Sequence, residues 1–310
     1  MIRLEDYDKS NRFTAKVLET SVITPEASAV EVRDIILEVD KKDFHFDVGQ
    51  SVGVIVSGPH ELGHTEHFRL YTVANTFETS NGNKPVINIC VRRCTYIDDF
   101  SGEEYKGIAS NYLCDRRAGD TITLTGPYGI PWEVPEEKDA DLLLIGLGTG
   151  IAPFRAFVKH IYKNVGGWQG RVWLFHGALT GLEMLYRNDK RDDFTNYYDE
   201  ETFEAFEALS PRPHVYDPIA LDYALEERGE EIWNMLLNPK THVYVAGMEN
   251  IRKILNKAFS NIAGSPEKWD WVKLAVRRGC GERGGNDGGC RHGQLCQRGN
   301  VVWRGVRTGS

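Results

Sequence analysis

Residues 67–74, His-Phe-Arg-Leu-Tyr-Thr-Val-Ala, bring a fixed cation, an aromatic ring and a hydroxyl into one strand-like run. Alternation along a strand puts Arg69 and Tyr71 on the same face. A guanidinium suits a pyrophosphate, an aromatic face suits a flat ring, and Thr72 can hydrogen-bond from the next position. Taken alone, the same triplet also describes an ordinary half-exposed strand. Its neighbours extend the pattern. Cys90-Val91-Arg92-Arg93 closes another strand with two cations, and Tyr96 follows in a loop. Gly107-Ile108-Ala109-Ser110 opens a short helix with Ser110 expected as its N-cap, and amides at a helix start bind phosphate groups.

A second phosphate-like loop lies at Gly146-Leu147-Gly148-Thr149-Gly150-Ile151-Ala152-Pro153, between an apolar strand and a helix. It departs from the G-x-G-x-x-G dinucleotide pattern at Ile151, and a purely structural turn is an equal reading of the glycines alone. Pro153 near the helix start costs little hydrogen bonding and fixes the entry angle. Close backbone approach at a positive helix end is what a dinucleotide pyrophosphate needs.

The elements that must position these groups fall into two kinds. Alternating strands are predicted at 12–20, 30–38, 51–56, 68–74, 86–93 and 121–125. Turns at Val48-Gly49-Gln50, Gly58-Pro59, Asn81-Gly82-Asn83 and Ala118-Gly119-Asp120 separate them. With one short helix at 110–116 they make a small antiparallel β-barrel. Beyond Pro131 and the acidic run 135–141 the rhythm changes to apolar strands at 142–145, 171–176 and 242–245. These alternate with helices at 153–163, 226–237 and 249–260, an α/β doubly wound parallel sheet. Two domains result, 1–137 and 138–275. The remainder, 276–310, holds ten of the 31 glycines, three of the six cysteines and seven arginines without a lysine. It shows neither period, and it reads as a disordered or non-native tail.

The motifs R-L-Y-T, C-V-R-R, G-I-A-S-N-Y-L-C-D and G-L-G-T-G-I-A-P-F-R together resemble the ferredoxin–NADP reductase family, nearest to its plant-type members. The resemblance runs from about Arg12 to Ala263. It implies an FAD-binding barrel followed by an NADP(H)-binding domain, with NAD as the alternative coenzyme. Arg69 and Ser110 would hold the FAD pyrophosphate, Tyr71 would stack on the flavin, Thr72 would sit near its N5, and Tyr96 would stack on the adenine. Leu70, Cys90, Arg92, Gly107, Ile108 and Ala109 would complete that site. Gly148, Thr149 and Gly150 would hold the coenzyme, with Thr149 beside the nicotinamide. Gly247 and Met248, just beyond the strand 242–245, would let the nicotinamide approach. Ser210, Arg212 and Tyr216 match in content the group that meets the 2′-phosphate, a solvated loop charge being the other reading of Arg212. Tyr71 and Thr72 would be the catalytic residues.

Three departures stand out. Thr72 replaces the usual serine and adds a methyl, Ala246 stands where a cysteine is usual, and the family's terminal acid and aromatic are missing, Trp303 being the tail's sole aromatic. The implied activity is hydride transfer between NADPH and flavin, with single electrons passed to or from a ferredoxin or flavodoxin. The alternatives are the reductase component of an oxygenase, or a flavin-binding module with impaired turnover.

Composition narrows the field. Among 310 residues, 41% are hydrophobic and 26% charged, a globular mixture, and no apolar run could cross a bilayer. The net charge of −8 argues against nucleic acid. The N-terminus lacks an apolar signal core, and Cys90, Cys94 and Cys114 read as reduced thiols, so a cytoplasmic location is expected. Residues 1–135 carry 14 basic and 21 acidic side chains, although Arg92, Arg93, Lys106, Arg116 and Arg117 could gather as a basic patch for an acidic carrier. His60-Glu61-Leu62-Gly63-His64 matches H-E-x-x-H but sits between Gly58-Pro59 and a glycine, in a loop rather than on the helix zinc needs. Cys280, Cys290, His292 and Cys296 lack a close C-x-x-C pair, and no metal site is expected.

Overall fold

The computed structural model describes residues 4–42, 44–47, 49–60, 64–77, 84–129, 131–187, 193–215, 217–247, 251–278 and 305–306. Two compact units emerge, one holding Met1–Glu133 with Ala152–Phe157, the other Val134–Ile151 with Val158–Val306.

In the first unit, β1 (Arg12–Val22), β2 (Val32–Val39), β3 (Ser51–Ser57), β4 (Glu66–Phe77), β5 (Val86–Arg92) and β8 (Thr121–Tyr128) form a closed barrel. The ring order is β1-β2-β5-β4-β3-β8, every pair antiparallel, and Arg12 of β1 faces Thr125 of β8 to close it. Alternation explains the filling: Phe13, Ala15 and Val17 turn inward from β1 while their neighbours face outward. A short ribbon, β6 (Thr95–Ile97) with β7 (Glu104–Lys106), leads into helix α1 (Ile108–Cys114). The helix buries Ala109, Leu113 and Cys114 in the barrel core.

The second unit is a parallel sheet of β9 (Leu142–Leu147), β10 (Val172–Ala178), β11 (Phe203–Leu209), β12 (His242–Ala246) and the two-residue β13 (Gly305–Val306). Its order is β11-β10-β9-β12-β13, so the chain steps outward from β9 on one side and then returns to the other. Every residue of β9 and β10 is buried, as their unbroken apolar runs require. Helix α2 (Ala152–Lys159), whose first six residues group with the first unit, continues into a π-helical turn at His160–Asn164, and α3 (Leu221–Glu226), α4 (Gly229–Leu237), α5 (Ile251–Ala263) and α6 (Pro266–Arg278) follow. Ile251, Leu255, Ala258 and Phe259 of α5 repeat at helical spacing and enter the core, where Phe259 meets Trp269 of α6 with ring centres 5.0 Å apart.

The six barrel strands and the alternating strands and helices stand as the sequence predicts, and four details differ. The helix expected over 226–237 starts at Gly229 as α4, Glu226 being the last residue of a separate α3 that was not foreseen. The backbone leaves helical geometry at Arg228 (φ −110°, ψ 27°), before a glycine of poor helix propensity. Phe-Glu-Ala-Phe-Glu-Ala-Leu, 203–209, has helix-favouring residues at helical spacing yet pairs along its length with β10, since sheet pairing overrides local preference. Helix α6 was not foreseen. Three residues of the Gly/Arg-rich tail continue it, and Gly305–Val306 hydrogen-bond to β12, because a sheet edge accepts backbone whatever the side chains. Asn81-Gly82-Asn83, Glu61–Gly63, Cys280, Cys290, His292, Cys296 and Trp303 lie outside the described residues.

One buried polar side chain in the sheet has an energetic consequence. His176 of β10 is completely buried beside Arg187, lining a small cavity with Leu174, Met184 and Tyr198, and its Nε2 has no hydrogen-bond partner among the described residues. Burial, reinforced by the Arg187 charge, pushes its pKa down from 6.5 to about 3. Between these values the unfolded chain binds a proton that the folded chain refuses, so stability falls as pH drops through that window. The expected slope approaches about 1.4 kcal/mol per pH unit for this one group. Urea-unfolding midpoints measured from pH 7 to 4 should fall less steeply in His176→Leu than in the unsubstituted chain, and equal slopes would contradict the assignment.

Candidate functional site

In the barrel, β3 and β4 pair so that Ser51 faces Thr72, Val52 faces Tyr71 and Val54 faces Arg69. The Thr72 hydroxyl is therefore held by Ser51, Oγ to Oγ1 at 3.1 Å, with both side chains buried. Tyr71 is also buried, and desolvation raises its pKa well above the ordinary phenol value, so the ring stays neutral. Arg69 is half-buried. One guanidinium nitrogen, Nη1, donates to the Phe68 carbonyl at 2.9 Å. His67, on the same strand, is kept neutral to about pH 4 by burial and by the Arg69 charge.

Helix α1 begins at Gly107, not at the expected cap Ser110, and no side chain caps it. Ser110 lies inside the first turn. Its hydroxyl accepts the Cys94 amide at 3.2 Å and donates to the Gly107 carbonyl at 3.3 Å. Asn111, which lies within the G-I-A-S-N-Y-L-C-D motif but was given no role, donates to the carbonyls of Cys94 and Gly107 at 2.8 Å each. These bonds tie the helix start to the strand end that carries Arg92 and Arg93.

The two adjacent arginines separate in role. Arg93 reaches Glu31 and Asp115, both at 2.9 Å, and Asn111 at 3.0 Å, so it is a structural cation, and its pairing holds the Glu31 carboxyl below the usual range. Arg116 lies over the Tyr112 ring and 3.8 Å from Asp120. The five-cation patch read from the sequence is thus depleted of Arg93 and Arg116, while Arg92 and Lys106 remain exposed. Cys90 and Cys114 are buried, and burial pushes the Cys114 thiol up to about 12. Tyr96 is 58% exposed and stacks on Tyr105, its partner across the ribbon.

In the sheet, the strand order reverses beside β9, and the carboxyl ends of strands at such a reversal are where open α/β sheets bind ligands. Gly148, Thr149 and Gly150 form a 3₁₀ turn at the end of β9, leading into α2. A Cβ on Gly150 would lie 2.5 Å from the Ala246 carbonyl oxygen, and one on Gly247 2.8 Å from the Leu147 Cβ. The turn and the end of β12 meet backbone to backbone, which only glycine permits. Ala246 is fully buried. Ser210, at the end of β11, donates to the Asp217 carbonyl at 2.7 Å, and the exposed Arg212 pairs through Nε with the Asp217 carboxylate at 2.7 Å. Asp217 is a neighbour the sequence did not flag. Tyr216 and Met248 lie outside the described residues. His60 and His64 lie in the turn after β3, and His60 Nε2 is 2.9 Å from the Val56 carbonyl.

Comparison with known proteins agrees with this layout. The model of the oxidoreductase NAD-binding domain matches residues 144–257, spanning the glycine turn and the end of β12. Ferredoxin–NADP reductase of Synechocystis sp. is 30% identical over 86% of the chain, and that of Spirulina sp. is 28% identical over 86% of the chain and 91% of its own length. The chain is thus similar to ferredoxin–NADP reductases along most of its length. It spans 65% of the Synechocystis protein's length. A chloroplastic relative from Spinacia oleracea is 32% identical over 73% of the chain and 61% of that protein. Among solved structures, ferredoxin–NADP+ reductase from Plasmodium falciparum has the same fold, with a TM-score of 0.63 at 19% identity, covering 82% of this chain and 91% of that one.

The donor sets fit the family's two dinucleotides. The barrel offers a half-buried guanidinium, a neutral ring, a positioned hydroxyl and the first-turn amides of α1, which no side chain caps. The sheet offers a glycine turn pressed backbone to backbone against the end of β12. Gly150→Ala should force the β9 turn away from β12, lowering stability by about 1–3 kcal/mol as overpacking does. It should also weaken NADPH binding by at least tenfold. Urea unfolding and a coenzyme titration measure both, and unchanged affinity would show that the close approach is only structural.

Proposed function

We propose that the chain is an FAD-dependent reductase that moves electrons between NADPH and a small acidic one-electron carrier, a ferredoxin or flavodoxin. The reading is supported by one observation: one unit of the chain aligns Arg69, Tyr71 and the Ser51-held Thr72 on β4, and the other carries a glycine turn against the end of β12. When bound, FAD would supply the conversion between hydride and single-electron transfer.

The chain's own residues supply binding and orientation. Arg69 and the amides at Ile108–Ser110 would neutralise the FAD pyrophosphate, a charge-assisted set in a partly dry site. Tyr71 offers its ring as a wall for the flavin, and its neutrality at all physiological pH keeps that wall free of charge. Ser51 aligns the Thr72 hydroxyl, which would act as a hydrogen-bonding group at the flavin edge; Leu70, Cys90, Arg92 and Gly107 would complete the surface. In the sheet, Gly148, Thr149, Gly150 and Gly247 would hold the coenzyme, with Ser210 and Arg212 at its 2′-phosphate. Met248 and Tyr216 join this assignment by position in the motifs. Cys90, Cys94 and Cys114 are in no disulfide among the described residues, which supports a reducing compartment, the cytoplasm, and no described helix is long and apolar enough to cross a membrane.

The direct test mixes the purified, FAD-loaded chain with NADPH and then with a ferredoxin. The flavin band should bleach and then recover as the ferredoxin is reduced; a chain that takes up no flavin, or one that NADPH leaves unbleached, would overturn the proposal. Coenzyme choice has its own test. Asp217 shares Arg212 with the proposed phosphate and repels it, so Asp217→Asn should lower the KM for NADPH about three- to tenfold and leave that for NADH unchanged. Equal effects on both coenzymes would remove Arg212 from the 2′-phosphate site.

A further inference from the structure

The ribbon β6–β7 carries two tyrosines where the family motifs assigned a role to one. Tyr96 and Tyr105 are directly opposed across the strands, with ring centres 5.3 Å apart and planes 17° from parallel. Tyr105 is the more buried of the two, and its hydroxyl donates to Glu103 at 2.8 Å. One face of the Tyr96 ring is therefore covered by a neighbour that is itself tethered, while more than half of Tyr96 stays open to solvent.

The ribbon around the pair is fastened at both ends. At its tip, the Asp98 carboxylate accepts the amides of Phe100 at 3.0 Å and Ser101 at 2.7 Å, and the Asp98 amide donates to Glu103 at 2.9 Å. At its base, the Gly107 amide donates to the Cys94 carbonyl at 2.9 Å, beside the Ser110 and Asn111 bonds at the start of α1. A two-stranded ribbon of three-residue strands is marginal alone, and cross-strand aromatic pairs are what hold such units in register. Stacking also restricts the rotamers of an exposed ring, so a flat ligand meets a ring already ordered.

We propose that Tyr105 is a positioning residue for the adenine half of FAD: it backs the Tyr96 ring and fixes the open face on which a purine stacks. The inference rests on the FAD reading above and adds a residue that the family motifs do not contain. Because the contact is to the adenine end alone, its loss must distinguish FAD from FMN, which lacks that end. A general loosening of the barrel would weaken both flavins alike.

The test titrates the full-length chain, stripped of flavin, with FAD and separately with FMN. Tyr105→Val should weaken FAD about three- to tenfold, the range expected for one aromatic pair, and leave FMN unchanged. Tyr105→Phe keeps the ring without the hydroxyl and should restore FAD binding. Ile97→Thr, which alters the ribbon away from the ring pair, should leave both flavins alone. Tyr105→Ser provides a second truncation should the valine variant fold poorly. Equal weakening of both flavins, no change, or tighter FAD binding would overturn the proposal, the last by showing that adenine competes with Tyr105 for the Tyr96 face. A parent chain that binds FMN but not FAD also overturns it, and one that binds neither refutes the FAD reading beneath it.

Discussion

The Arg93 guanidinium is the joint on which the barrel's chemistry hangs. It stands at the end of β5, grips Glu31 at the approach to β2, and reaches Asn111 and Asp115 on α1. One side chain thereby fixes the helix against two strands. With the helix fixed, Ser110 and Asn111 can stitch its first turn to Cys94, and the amides at Ile108–Ser110, which no side chain caps, acquire a definite address. Five donors in a rigid plane suit this task, whereas a lysine ammonium would hold the same acids without enforcing their directions. The neighbouring Arg92 is free of that duty and stays at the surface.

The two units reach a dinucleotide by opposite means. The barrel supplies side chains: a cation, a ring, and a hydroxyl aligned across strands. The sheet supplies their absence, since the β12 backbone at Gly150 and the Leu147 side chain at Gly247 occupy the space where a Cβ would stand. Substitution therefore acts differently in the two places. Exchanging Thr72 for another hydroxyl residue alters one group, while adding any side chain at Gly150 displaces two strand ends together.

How much of this was legible beforehand can be judged residue by residue. Strands such as β1 announce themselves because alternation is enforced by having one wet face and one dry face, and β9 because both its faces are dry. β11 hid because its alphabet favours a helix, and only its pairing with β10 decides otherwise. The motifs located Arg69, Tyr71, Thr72 and the glycine turn. They misplaced the start of α1, since Ser110 is a good cap by type but its hydroxyl is spent on Cys94 and Gly107. The roles of Ser51, Asn111, Asp217 and Tyr105 were invisible because each matters through a partner distant in sequence or across a turn. For Tyr105 the clue was present in Glu104-Tyr105-Lys106, an alternating triplet just before Gly107, and needed only the register of the opposite strand to be read.

Closure of the barrel has a bearing on how the chain is made. Its seam joins β1 to β8, so the first strand synthesised waits for the last, more than a hundred positions later. Until Tyr128 has left the ribosome the growing polypeptide carries an incomplete ring with a bare border on each side, the kind of surface that chaperones shield and that neighbouring nascent chains can capture. Translation speed through this stretch, rather than the strength of any one contact, then governs how long that exposure lasts.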